Sequence, residues 1–194
     1  MDNVRTVVLA GGRSQRMGFD KLTALFAGEP LARRVASALA ELRPLIVTTA
    51  QMAEAIAGVP GELIDVTEPT AGMSRTLQLA HEAIPPGAHL AVLPCDVPFL
   101  DAPRVRAFVE RVADDADLAW PVVGTTPGHP VVWSPHARAL AGALADDEPP
   151  SRLRTDPRLR AQPLHESDDA YVIDVDTPGA WAAAEARARS PLRS

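Results

Sequence analysis

The sequence predicts a three-layer α/β fold in which a mostly parallel sheet is covered by helices on both faces. Three observations carry this expectation. Short apolar runs of strand length recur along the chain, stretches with helical periodicity fall between them, and a glycine-rich loop follows the first run. A chain of 194 residues that is 46% hydrophobic can bury one core and is too short for two ordinary domains. Residues 1–194 are therefore expected to form a single domain, with the tail RARSPLRS, from about residue 190 onward, exposed and frayed.

The first strand is expected at Thr6 to Ala10, where β-branched and aliphatic residues dominate. A helix follows from Pro30, whose missing amide does no harm at a helix start, and Leu31, Val35, Leu39 and Leu42 share its buried face. Leu45 to Thr49 and Leu63 to Val66 read as the next strands. A second helical stripe comprises Met73, Leu77, Ala80 and Ile84. The strand Leu90 to Pro94 precedes a third stripe of Val105, Phe108, Val109 and Val112, and strands at Leu118 to Val123, Val131 to Ser134 and Tyr171 to Val175 complete the pattern. The 19 prolines fall between these segments without a repeat, which indicates rigid connections.

Composition excludes several function classes. A net charge of -6 argues against a nucleic-acid-binding surface, and 4% aromatic residues leave few platforms for stacking single-stranded bases. The apolar run near the amino terminus is too short for a signal sequence and no later run reaches membrane-spanning length, so a soluble cytoplasmic protein is expected. The single cysteine, Cys95, excludes an internal disulfide and any CxxC metal site. With no histidine near it in sequence, Cys95 reads as a small buried residue, not a nucleophile.

The most informative segment is LAGGRSQRMGFDK, from Leu9 to Lys21. Gly11 and Gly12 permit backbone conformations and close approaches that side chains would block, and Arg13, Arg16 and Lys21 add three cations. At the carboxyl end of a buried strand, such a loop suits a polyphosphate; the bland alternative is a solvated basic loop. Gly12 and Gly18 are too widely spaced for a Walker A loop, Lys21 does not adjoin the last glycine, and no GxGxxG is present. Ligands of parallel sheets bind beyond the carboxyl ends of the strands, where the loops at Gly11, Glu68, Asp96 and Asp176 could converge.

The segment closely resembles the signature LAGGxSxRMGxDK of nucleotidyltransferases related to the molybdenum cofactor guanylyl- and cytidylyltransferases. That resemblance implies the Rossmann-like nucleotide-diphospho-sugar transferase fold over essentially the whole chain. It further implies a loop that wraps the triphosphate of a nucleoside triphosphate through Leu9, Ala10, Gly11, Gly12, Arg13, Ser14 and Lys21, with Arg16 and Lys21 as the catalytic cations.

Asp96, in PCDVPFL, follows a strand and is flanked by Pro94 and Pro98, which fix the backbone. It could pair with an arginine; the functional reading is a Mg²⁺ ligand, since magnesium takes only one or two protein carboxylates along with phosphate oxygens and water. The matching aspartate in the resembled families binds the metal and contacts the nucleotide. Asp174 and Asp176, two apart in YVIDVDTPGAW, would point to one side of a strand. Asp176 is nearer the loop and has two roles open to it, second metal ligand or cap of the helix starting at Pro178.

Other segments look like the cytidylyltransferases. GMS, with Ser74, resembles their GMSSSL, and Ser74 could cap a helix or bind nucleotide. Glu68 lies near an acidic or asparagine position that contacts nucleotide in related proteins. PGHPVVW also has a cytidylyltransferase look, and His129 within it is either structural or a substrate contact.

The implied reaction is attack of a substrate phosphate on the α-phosphate of an NTP, releasing pyrophosphate. A phosphomonoester has a second pKa of about 6, so the nucleophile is mostly ionised at neutral pH and no strong base is needed. Bringing anions together and stabilising the leaving pyrophosphate are tasks for Arg16, Lys21, Asp96 and Mg²⁺. In the resembled families LAGG tends to accompany GTP; PCDVPFL likewise resembles the guanylyltransferases, whereas GMS, GHPV and DVDTP resemble the cytidylyltransferases, which use CTP. The reading is transfer to the phosphate of molybdopterin with a slight preference for GTP, and the partners implied include a molybdoenzyme or its chaperone. Two alternatives stand beside it: transfer to another phosphorylated metabolite, such as a sugar or isoprenoid precursor, or a non-catalytic nucleotide- or cofactor-binding protein.

Overall fold

A computed structural model describes residues 3–10, 19–66, 73–145 and 148–190 of the chain. Its strands are β1 (Val4–Leu9), β2 (Leu25–Phe26), β3 (Glu29–Pro30), β4 (Leu45–Thr49), β5 (Glu62–Val66), β6 (His89–Pro94), β7 (Leu118–Val123), β8 (Thr126–Pro127), β9 (Val131–Trp133) and β10 (Ala161–Glu166). The α-helices are α1 (Leu31–Ala38), α2 (Ala50–Ala55), α3 (Met73–Ala83), α4 (Ala102–Glu110), α5 (Pro135–Gly142) and α6 (Pro178–Arg189). An eight-stranded sheet has the order β10-β7-β9-β6-β1-β4-β5, with β8 on β7, and β2 and β3 form a separate hairpin. Within that order β9 alone runs antiparallel to its neighbours β6 and β7, so the expected mostly parallel sheet is present.

Alternation along the strands sorts the core into two layers. On one face, Val8, Ile46 and Leu93 pack with Leu31 and Val35 of α1, Phe108 of α4 and Ala184 of α6. Val7, Val47 and Val92 point the other way and meet Leu77 and Ala80 of α3 and Ala137 and Ala141 of α5. Buried on both faces, the central strands read as near-continuous apolar runs, which is why the sequence located them so closely.

The expected helix over Leu31 to Leu42 tightens at its end, where residues Ala40–Leu42 form a 3-10 turn. The expected strand at Tyr171 to Val175 is absent. Tyr171 closes a 3-10 turn over Asp169–Tyr171, and Val175 makes only an isolated bond, donating its amide to the Asp96 carbonyl at 3.2 Å. Its apolar residues serve burial without a ladder: Tyr171 and Val175 sink into the α1/α4 layer, and the Tyr171 hydroxyl donates to the Arg104 carbonyl. The place beside β7 belongs to β10, whose alternating half-exposed side chains and Pro163 suit an edge strand.

The connectivity positions the site. From β1 the chain moves outward through β4 to β5, then returns to place β6 on the other side of β1, with Leu9 level with Pro94. That reversal falls at the carboxyl ends of β1 and β6, the place where such sheets bind ligands.

Candidate active site

Lys21 is set by a turn that its neighbours fasten. Asp20 accepts the Leu22 amide on its side chain and the Ala24 amide on its carbonyl, and the Leu22 carbonyl accepts from Ala32 on α1. Asp96 follows β6 directly; the Cys95 amide donates to the Leu9 carbonyl, which locks the segment against the end of β1. Asp176 arrives from the carboxyl-terminal part of the chain, carried by the Val175–Asp96 backbone bond.

These three side chains meet. Lys21 Nζ donates to Asp96 Oδ2 at 2.6 Å and also to Asp176 Oδ1. The Lys21 and Asp96 side chains are only 10% and 14% exposed, whereas Asp176 is 42% exposed. Burial pulls the Lys21 pKa down, but the two carboxylates outweigh it and hold the ammonium above its ordinary 10.5, so it is charged at neutral pH. Burial pushes the Asp96 carboxyl up, with Asp176 and Asp174 acting in the same direction against the pull of Lys21.

Asp96 Oδ1 is buried without a hydrogen-bond partner among the described residues. An unpaired buried carboxylate oxygen is costly, and a cation supplied with the substrate would satisfy it. Asp96 with Asp176 is a donor set of the kind magnesium takes, one or two carboxylates with substrate phosphate oxygens completing the shell. Among the described residues no group of three or more His, Cys, Asp or Glu forms a closed metal cage.

The capping role considered for Asp176 falls to Thr177, whose hydroxyl accepts the Ala180 amide with Pro178 at the first turn of α6. Asp174 is exposed. Since no strand forms there, the expectation that both aspartates share one strand face does not hold. Ser74 does not cap α3; it lies inside the helix, fully buried, and its hydroxyl donates to the Glu148 carbonyl. Leu9 and Ala10 are buried, and the Ala10 amide donates to Val47. Gly11, Gly12, Arg13, Ser14, Arg16 and Glu68 lie outside the described residues. Cys95 is a buried free thiol that burial pushes upward in pKa, which removes it as a nucleophile.

Sequence reasoning missed one positioning residue, Gly128. A Cβ there would stand 2.1 Å from the Tyr171 carbonyl oxygen, and the next amide, of His129, donates to that same oxygen at 2.9 Å. The close approach seats the segment that carries Asp176. Burial, with the charge of Arg154, brings the His129 pKa down to about 4, so the ring is neutral at pH 7.

A family model described as "MobA-like NTP transferase domain" matches residues 6–161. A curated molybdenum cofactor guanylyltransferase of Rhizobium leguminosarum bv. trifolii is 34% identical over 130 residues, covering 62% of this chain and 62% of that protein. One from Rhizobium johnstonii is 29% identical over 189 residues, covering 91% of this chain and 88% of the relative. The fold is similar to the crystal structure of molybdopterin-guanine dinucleotide biosynthesis protein A from Archaeoglobus fulgidus, with a TM-score of 0.75 at 17% identity, over 95% of this chain and 98% of that one.

Proposed function

The chain belongs to the MobA-like NTP transferase family, and from that premise we propose that it transfers a nucleoside monophosphate from an NTP, with GTP favoured over CTP, to the phosphate of molybdopterin. The observation that supports this reading most directly is the pairing of Lys21 with Asp96 and Asp176 at the carboxyl ends of β1 and β6. The names of the relatives support GTP, as does Gly11, where the absence of a methyl group leaves room for a purine.

In this reaction an acceptor phosphate oxygen forms a bond to the α-phosphorus while the bond to the bridging oxygen of pyrophosphate breaks. Both partners are anions, and the acceptor is already ionised. Lys21, held protonated, offers its charge to the phosphates, and the loop residues Gly11 to Ser14 and Arg16 add amides and two further cations, Arg13 and Arg16. Glu68, and Ser74 in the first turn of α3, are assigned to the nucleotide side. Asp96 and Asp176 would hold Mg²⁺, which when bound supplies charge neutralisation on the triphosphate. Asp96 is fixed by its flanking prolines and the Cys95–Leu9 bond, so it needs little reorganisation.

The test is incubation of the purified protein with Mg²⁺, molybdopterin and each NTP in turn, measuring pyrophosphate. Release with GTP above CTP and dependent on molybdopterin is expected. Release with another phosphorylated metabolite alone would reassign the acceptor.

A further inference from the structure

Arg154 is a half-buried guanidinium for which the structure gives no hydrogen bond or ion pair among the described residues. Its neighbours on the same segment behave differently, Arg152 pairing with Glu148 and Arg158 with Asp156. Arg154 turns inward instead and places its Cζ 5.2 Å from the centre of the Trp120 ring. Burial lowers its pKa, yet an arginine keeps its charge. A desolvated cation with one face on an indole and no carboxylate partner among the described residues is an unusual expense in a fold that pairs most of its other arginines.

The position of this cation is informative. Trp120 follows Ala119, which pairs with Val132, so Trp120 stands level with Val131, and Val131 pairs with Val92, four residues before Asp96. Trp120, Val131 and Val92 lie on the same face of the sheet, against α3 and α5. His129 lies two residues beyond Val131 toward the same edge as Asp96, and its Nδ1 is buried without a hydrogen-bond partner among the described residues. The segments assigned to the NTP follow β1 and β5; β7 and β9 stand on the other side of β6. The second substrate would therefore enter from the β7/β9 side.

We propose that Arg154, stacked over Trp120, receives the phosphate of the acceptor substrate and brings it toward the Lys21–Asp96 centre. The inference rests on the nucleotidyl-transfer reading, and the ligand class it names is a phosphomonoester. A planar guanidinium matches two phosphate oxygens at once and is weakly hydrated, so it can hold an anion in a partly dry site. The indole fixes its plane. The neutral His129 beside it adds no charge, so Arg154 supplies the cation that offsets repulsion between acceptor and triphosphate on this side of the site.

The experiment uses inorganic phosphate as probe, titrated calorimetrically into the full chain already saturated with Mg²⁺ and α,β-methylene-GTP, so that the nucleotide loop is filled. Arg154→Gln should weaken phosphate binding about tenfold or more, Arg154→Lys should recover part of it, and neither should alter binding of the GTP analogue. Equal phosphate affinity in wild type and Arg154→Gln would overturn the proposal, as would no phosphate binding by wild type or a loss that follows Lys21→Ala alone. Failure of the transfer reading shows elsewhere, as absence of pyrophosphate release from GTP with molybdopterin.

Discussion

Lys21 Nζ lies 2.6 Å from Asp96 Oδ2 and binds Asp176 as well, so one buried ammonium joins the end of the first-strand loop to two carboxylates from distant parts of the chain. Removing the ammonium takes a cation from Asp96 and Asp176 and from the phosphates. Lys21→Ala is expected to lower kcat by more than about 100-fold while circular dichroism remains native, and Asp96→Ala to do the same. A near-normal rate in either variant would remove that residue from the chemistry.

Asp176 and Thr177 divide two roles, and paired variants separate them. Asp176→Asn should lower turnover and raise the Mg²⁺ concentration needed for half-maximal rate, with little change in Tm. Thr177→Ala should cost about 1 kcal/mol of stability through the lost cap of α6 and leave the magnesium dependence alone. The reverse outcome would make Asp176 a structural residue.

Gly128→Ala places a methyl group against the Tyr171 carbonyl, where backbone must shift. A loss of about 1–3 kcal/mol is expected in urea unfolding, as for overpacking, together with reduced activity because the Asp176 segment moves. Unchanged stability would show that the Tyr171 segment yields freely.

His129 gives a pH signature. Its pKa falls from 6.5 to about 4 in the folded state, so folding favours the neutral ring. The corresponding stability is fully present above pH 6.5 and is lost as pH falls toward 4, an effect of about 3 kcal/mol. His129→Phe should flatten the stability profile over that window. A wild-type profile already flat between pH 6.5 and 4 would show a ring that protonates without cost.

The parts of this molecule that were legible in sequence are those where one physical demand dominates. β1, β4, β6 and β7 are buried on both faces, so continuous apolar runs marked them within a residue or two. β10 escaped because an edge strand with alternating half-exposed residues and an internal proline carries little signal. Tyr171 to Val175 misled for the opposite reason, being apolar to fill the core without joining the sheet. Lys21, Asp96 and Asp176 were each visible from local motifs, but their convergence on one ammonium depends on the β1/β6 crossover, which no local pattern encodes. Gly128 and Arg154 act through close contacts with Tyr171 and Trp120, and such contacts leave no spacing to read.

Nucleotidyl transfer at the Lys21–Asp96 centre is tested most directly by pyrophosphate release from the purified chain with Mg²⁺, molybdopterin and GTP, run beside Asp96→Ala. Release that requires molybdopterin, is faster with GTP than with CTP and is lost in Asp96→Ala is the result expected. Tight GTP binding with no pyrophosphate from any NTP, or equal release by Asp96→Ala, would contradict it.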